Sequence, residues 1–217
     1  MTKIKLCGLS RACDIEWANE LAPDFVGFVF AKKSKRFVSP ETARALREKL
    51  SPDIRAVGVF VREEPEAVAA LLNGGVIDMA QLHGGEDAAY VARLRALTDR
   101  PIVQAFRVDA PADLDRARAS TADYVLLDNG AGGTGVAFDW SLLRGFDRPY
   151  FLAGGLDPGN VRAAVRTLRP WAVDVSSGIE TGGKKDQEKM RRFVEEVREQ
   201  GTGNREQEWR LTPPNPQ

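Results

Sequence analysis

Two side chains stand where proton transfer could be done. Cys7 ends the short apolar run Ile4–Cys7 and is followed at once by Gly8, so a thiol sits beside unobstructed backbone. Once ionised, such a thiol can act as a base or a nucleophile; it can equally be a small buried hydrophobe. Asp128 closes the run Tyr124–Asp128 and places a carboxyl group at the end of a strand-like segment. Either it donates a proton, which needs burial or a nearby anion to hold it above the usual carboxylate range, or it caps the following turn. Asp174 is open to the same two readings. Lys5 shares a strand face with Cys7 by period two, and its ammonium is expected to lower the thiol pKa.

The remaining candidates bind rather than react. Arg36, in the basic stretch Lys32-Lys33-Ser34-Lys35-Arg36, can grip a carboxylate with two parallel hydrogen bonds or belong to a solvated charge run. His83 is the only histidine, and a structural or substrate-contacting role suits it better than that of main base. With no second histidine and no acidic cluster at ligand spacing around it, neither a metal nor an organic cofactor is expected. Gly154-Gly155 and Ser176-Ser177-Gly178 follow two successive apolar runs, a placement suited to holding phosphate on backbone amides. Gly132-Gly133-Thr134-Gly135 makes a loop that could move or admit a ligand. Gly178 to Lys184 is spaced like a nucleotide loop, but Lys185 stands where a serine or threonine is needed, so no nucleotide is expected. Cys13 falls inside a helical segment; six positions from Cys7, it fits no metal or redox spacing, and both are expected as free thiols.

These residues need a frame. Short apolar runs alternate with segments of helical spacing eight times. The runs are Ile4–Cys7, Phe25–Phe30, Ala56–Val61, Ile77–Leu82, Ile102–Phe106, Tyr124–Asp128, Tyr150–Ala153 and Ala172–Val175. Between them, sets such as Val161, Ala164, Val165 and Leu168, or Met190, Phe193, Val194 and Val197, repeat at the helical period. Ser39-Pro40 and Asp157-Pro158 read as helix starts, and Glu64-Pro65 as a weaker one. Strict alternation implies a parallel sheet, and eight units in this length fit a single-domain α/β fold, the (β/α)8 barrel, over residues 1–200. An open doubly wound sheet is the alternative. Residues 201–217 read as a loose, polar, proline-rich tail.

Composition narrows the partner. The 217 residues carry 31 basic and 31 acidic side chains, so no net field draws the chain to nucleic acid or an anionic membrane. The apolar runs are too short to span a bilayer. The expected partner is a small molecule and the expected compartment the cytoplasm; nothing indicates an oligomeric state.

Taken in order, the motifs resemble those of the phosphoribosylanthranilate isomerase family. They are Lys5-Leu6-Cys7-Gly8-Leu9, Ser34 with Arg36, Val57–Val61, Gln81-Leu82-His83-Gly84, Leu126-Leu127-Asp128, Gly132–Gly135 with Phe138-Asp139-Trp140, Ala153–Leu156 with Asn160-Val161, Val173–Glu180, and Lys185-Asp186. The resemblance implies a cofactor-free aldose-to-ketose rearrangement of N-(5-phosphoribosyl)anthranilate in tryptophan biosynthesis. It assigns Asp128 as the acid and Cys7 as the base. It gives the substrate carboxylate to Arg36 and the phosphate to amides around Gly154, Gly155, Ser177 and Gly178. Another phosphate-binding barrel enzyme, or a binding protein that has lost its chemistry, are the competing expectations.

Overall fold

In the computed structural model, residues 1–128, 140–143 and 145–210 are described, with 141 and 200–210 described by backbone only. The loop Gly132–Gly135 and the last seven residues, 211–217, lie outside the described residues. Eight parallel strands close into a barrel in sequence order: β1 Lys3–Cys7, β2 Phe25–Val29, β3 Arg55–Phe60, β4 Met79–Leu82, β5 Ile102–Arg107, β6 Tyr124–Asp128, β7 Tyr150–Ala153 and β8 Ala172–Val175. The closure excludes the open sheet. Its seam is the pairing of β1 with β8, in register from Lys3 against Ala172 to Leu6 against Val175.

Among the described residues seven α-helices surround the barrel: α1 Ala12–Leu21, α2 Pro40–Lys49, α3 Pro65–Asn73, α4 Ala88–Leu97, α5 Pro111–Ala119, α6 Val161–Leu168 and α7 Gln187–Arg210. Between β6 and β7 the described residues hold only the 3-10 turn Trp140–Leu143. Ser39 caps α2 as its sequence predicts, its hydroxyl accepting from the Thr42 amide at 3.2 Å, with Pro40 in the first turn. Asp157-Pro158 does not start a helix. The Asp157 carboxylate instead accepts from the amides of Gly159 and Asn160 at 2.7 and 3.1 Å, folding a local turn that delays α6 to Val161. The backbone of α7 stays helical to Arg210, beyond the Gly201 at which the sequence pattern stops.

Alternation along each strand divides the apolar residues into two layers. Leu6, Val26, Phe28, Leu127, Leu152 and Val173 face outward and meet helical residues such as Ile15, Leu72, Leu94 and Phe193. Facing inward, Phe25, Val57, Met79, Val103, Leu126 and Phe151 form a separate cluster. Aromatic rings plug this interior: Phe25 and Phe151 lie 5.5 Å apart between centroids, and Tyr124 stacks on Trp171 at 4.6 Å. Full burial of each large side chain contributes about 1.5–3 kcal/mol, so the barrel has a solid floor. Only the end where the strands finish is left for polar side chains.

At that end the connection after β8 presses on the one after β7. A β-carbon added to Gly178 would lie 1.9 Å from the Leu156 carbonyl oxygen, a contact that only backbone movement could relieve. Gly75, by contrast, has φ of +70° and nothing within 4 Å of such an atom, so alanine there suffers left-handed strain alone. Gly178→Ala is expected to lose about 3 kcal/mol or more and Gly75→Ala about 1 kcal/mol. Thermal denaturation should separate them by several degrees, at roughly 2–4 °C per kcal/mol for a chain of this size.

Candidate active site

Cys7 points into the barrel just above its apolar floor, beside Val29 and Val59, and is 6% exposed. Room for its sulfur comes from the neighbouring strand, because a β-carbon at Gly27 would come within 2.6 Å of Sγ. One layer below, Lys5 donates to Asp174 at 2.9 Å, and both are buried. Burial alone would drive Lys5 toward its neutral form, but the Asp174 carboxylate and the Cys7 sulfur together outweigh that, and the lysine pKa is raised. Lys5 pulls the Cys7 pKa down as expected, but that pull does not decide the net shift. Burial pushes the thiol up by more than Lys5 pulls it down, and Asp174, which balances the lysine charge, pushes it further up.

A second charged group forms the wall near β2. The backbone of Gly8 has φ of +79°, and a β-carbon there would strike the Arg36 side chain, 2.4 Å from Cδ. Arg36 thus lies across Gly8 and donates through Nε and Nη2 to both carboxylate oxygens of Glu180, at 2.6 and 2.8 Å. Lys185 also donates to Glu180, at 2.6 Å, and to the Ser176 carbonyl at 2.8 Å. Glu180–Thr181 and Lys184–Lys185 are the arms of a small hairpin, whose turn glycines, Gly182 and Gly183, have φ of +60° and +77°. This is why the segment that mimics a nucleotide loop in sequence is not one in space. Burial pushes the Glu180 carboxyl up, but the hydrogen bonds from Arg36 and Lys185 overcome it and hold the group below the usual carboxylate range. Burial lowers the Lys185 pKa despite that pairing. The buried Asp14 holds the first loop, accepting from the amides of Ser10 and Arg11 at 2.9 and 3.0 Å. Arg11 in turn reaches the Lys185 carbonyl at 2.8 Å, joining that loop to the hairpin.

Across the mouth, His83 follows β4 with Nδ1 2.9 Å from the Gln81 amide nitrogen and Nε2 3.6 Å from Asp128 Oδ2. A cavity of about 330 Å³ is lined by Cys7, Arg36, Gln81, His83, Asp128, Gly154, Gly155, Asp174, Ser176 and Ser177, among others. It gathers the catalytic and binding candidates Cys7, Arg36, His83, Asp128, Gly154, Gly155 and Ser177, whereas Gly178 packs on Leu156 instead of lining it. Gly154 and Gly155 have φ of +89° and +67°, a backbone path that needs glycine and leaves the amides uncovered by side chains. A wider hollow of about 830 Å³ shares His83 and Asp128 but includes neither Cys7 nor Arg36, so of these two the smaller cavity joins the two proton-transfer candidates. Sequence reasoning assigned no role to Glu180, Lys185 or Gln81. For Gln81 the signal was available, since it shares the inward face of β4 with His83 by period two; for Glu180 it was not, because its partner Arg36 lies 144 positions away.

Comparison with known proteins agrees with this geometry. Residues 4–196 match the family model described as N-(5'phosphoribosyl)anthranilate (PRA) isomerase. N-(5'-phosphoribosyl)anthranilate isomerase of Endomicrobium trichonymphae is 43% identical, over 91% of this chain and 99% of that protein; that of Acetivibrio thermocellus is 44% identical, over 94% and 99%. The crystal structure of phosphoribosyl anthranilate isomerase from Thermotoga maritima superposes with a TM-score of 0.83 at 38% identity, covering 92% of this chain and all of that one. A phosphoribosyl anthranilate isomerase crystallised with reduced 1-(o-carboxyphenylamino)-1-deoxyribulose 5-phosphate gives 0.81 at 37% identity, with the same coverage. With the match running through all eight strands and the relatives covered almost end to end, this chain belongs to the N-(5'-phosphoribosyl)anthranilate isomerase family.

Proposed function

We propose that this chain converts N-(5-phosphoribosyl)anthranilate into 1-(2-carboxyphenylamino)-1-deoxyribulose 5-phosphate, with Asp128 as general acid and Cys7 as general base. What supports the assignment of roles is that one cavity of about 330 Å³ is lined by both groups, a guanidinium and a glycine turn. Asp128 protonates the ribose ring oxygen; the C1′–O bond breaks toward that oxygen while the nitrogen lone pair forms the C1′ iminium. The Cys7 thiolate then takes the C2′ proton, and the C–H electrons become the C1′–C2′ double bond of an enolamine. Tautomerisation places a proton on C1′ and leaves a ketone at C2′. One carbon is reduced as its neighbour is oxidised, so no external oxidant enters the balance.

The two anionic ends of the substrate are held by different means. Glu180 occupies the Nε edge of Arg36, and a guanidinium so held keeps its other edge for the anthranilate carboxylate. The phosphate goes to amides around Gly154, Gly155, Ser177 and Gly178, and His83 contacts the substrate beside Asp128. Among the described residues no helix is long and apolar enough to cross a membrane. Both cysteines are free, which accords with the cytoplasmic setting that belongs to the same proposal.

Three outcomes check this reading. With phosphoribosylanthranilate generated in situ, its fluorescence should decay in proportion to added protein, and Asp128→Asn or Cys7→Ser should slow that decay by about 10²–10⁴-fold with unchanged circular dichroism; a folded wild type without effect would remove the isomerase assignment. In a Cys13→Ser background, alkylation of Cys7 should follow thiolate formation with a midpoint above that of a free cysteine, because burial dominates; a midpoint below it would reinstate Lys5 as an activator. Glu180→Gln should raise KM by roughly tenfold, and by more than it lowers kcat, because it unpins a group that binds substrate and transition state alike.

A further inference from the structure

Gln81 carries an unusual cost. Its side chain is 2% exposed, and its Oε1 is the one side-chain atom among the described residues that is buried without a hydrogen-bond partner. In barrel register it lies between Val59 of β3 and Val103 of β5, and neither offers a donor. Leaving an amide oxygen desolvated and unpaired is normally avoided in a folded interior. The residue nevertheless borders the cavity that holds Cys7 and Asp128.

The pairing of that amide sets the state of its neighbour. His83 turns Nε2 toward the Asp128 carboxylate at 3.6 Å. The Gln81 amide nitrogen faces Nδ1, and an NH₂ group can only donate, so Nδ1 is the acceptor and the hydrogen of the neutral imidazole sits on Nε2. Gln81 gives its NH₂ to Nδ1, at 2.9 Å, and the oxygen is the atom left over. The fold thus fixes the imidazole at the expense of an unpaired acceptor on a residue that lines the cavity.

We propose that Gln81 is a substrate-binding residue whose Oε1 accepts a hydrogen bond from a sugar hydroxyl, while its NH₂ sets the His83 tautomer next to Asp128. This rests on the isomerase reading for the identity of the sugar but not for the existence of the acceptor. A ligand bound here would otherwise have to leave that oxygen unpaired. A hydroxyl donor satisfies it, so the residue discriminates for molecules carrying the hydroxyl and against those lacking it.

The test uses Gln81→Met, which keeps the length of the side chain and removes both polar ends. Because an unpaired buried oxygen disappears, the variant should melt at or above the wild-type temperature. Its kcat/KM should nevertheless fall by about 10- to 100-fold. Calorimetry provides the second arm, with reduced 1-(o-carboxyphenylamino)-1-deoxyribulose 5-phosphate and with analogues of it lacking a single sugar hydroxyl. Wild type should lose affinity for one of these analogues, and Gln81→Met should bind that analogue and the parent equally. Activity equal to wild type in the variant, or a fall in affinity that is the same for parent and every analogue, overturns the proposal. If wild type shows no turnover, the isomerase reading fails by itself, and the analogue comparison still decides the role of Gln81.

Discussion

The buried pair of Lys5 and Asp174 is the constraint around which the mouth of the barrel is built. The two residues are register partners across the β1–β8 seam, where the last strand meets the first, and their side chains meet at 2.9 Å inside the barrel. Desolvating either charge alone would be prohibitive, and breaking such a pair costs about 3–5 kcal/mol. The pair can exist only if the barrel closes in this register, and a one-residue slip of either strand would turn its charge out among apolar helices and leave the other unpaired inside. It also divides the interior. Aromatic packing lies toward the strand starts, while Cys7, Gln81 and Asp128 belong to the end where the strands finish.

With Lys5 committed to Asp174, positive charge for an anionic ligand has to come from elsewhere, and it comes from Arg36 in the loop after β2, held by the hairpin after β8. Glu180 binds two cations, Arg36 and Lys185, so the cluster carries one net positive charge. Lys185 is deeply buried, whereas Arg36 remains partly exposed; the inner cation fixes the carboxylate, and the carboxylate aims the outer one. Gly8 completes the arrangement by allowing Arg36 to cross the chain directly after Cys7. Arg36 and Cys7 are thus fixed relative to one another through a single glycine.

Stability and function pull apart at this end of the molecule. A thiol whose pKa is raised by burial, a cation whose pKa is lowered by it and an amide oxygen without a partner are each unfavourable in isolation. The apolar floor and the helix-facing shell offset them. That division places the costs where the strands end and the stabilising burial everywhere else, as barrels generally do.

The sequence by itself determined the eight strands, because an inward or outward position in a parallel barrel is written in local apolar runs. Strands β6, β7 and β8 have the bounds their runs predict, and β4 begins two residues later than Ile77 because the end of α3 still holds that residue through the Leu71 carbonyl. Cys7, Arg36, His83 and Asp128 were legible for the same reason: each ends or follows a run. Asp157-Pro158 was misread because a side chain that can cap a helix can equally cap a turn, and only the next residues' path chooses. What tertiary structure alone decided was charge and partnership. Lys5 and Asp174 are 169 positions apart, and Arg36 and Glu180 are 144 apart. No local pattern could say that the first pair would cancel while the second would aim a guanidinium, because the direction of a pKa depends on what burial brings beside the group.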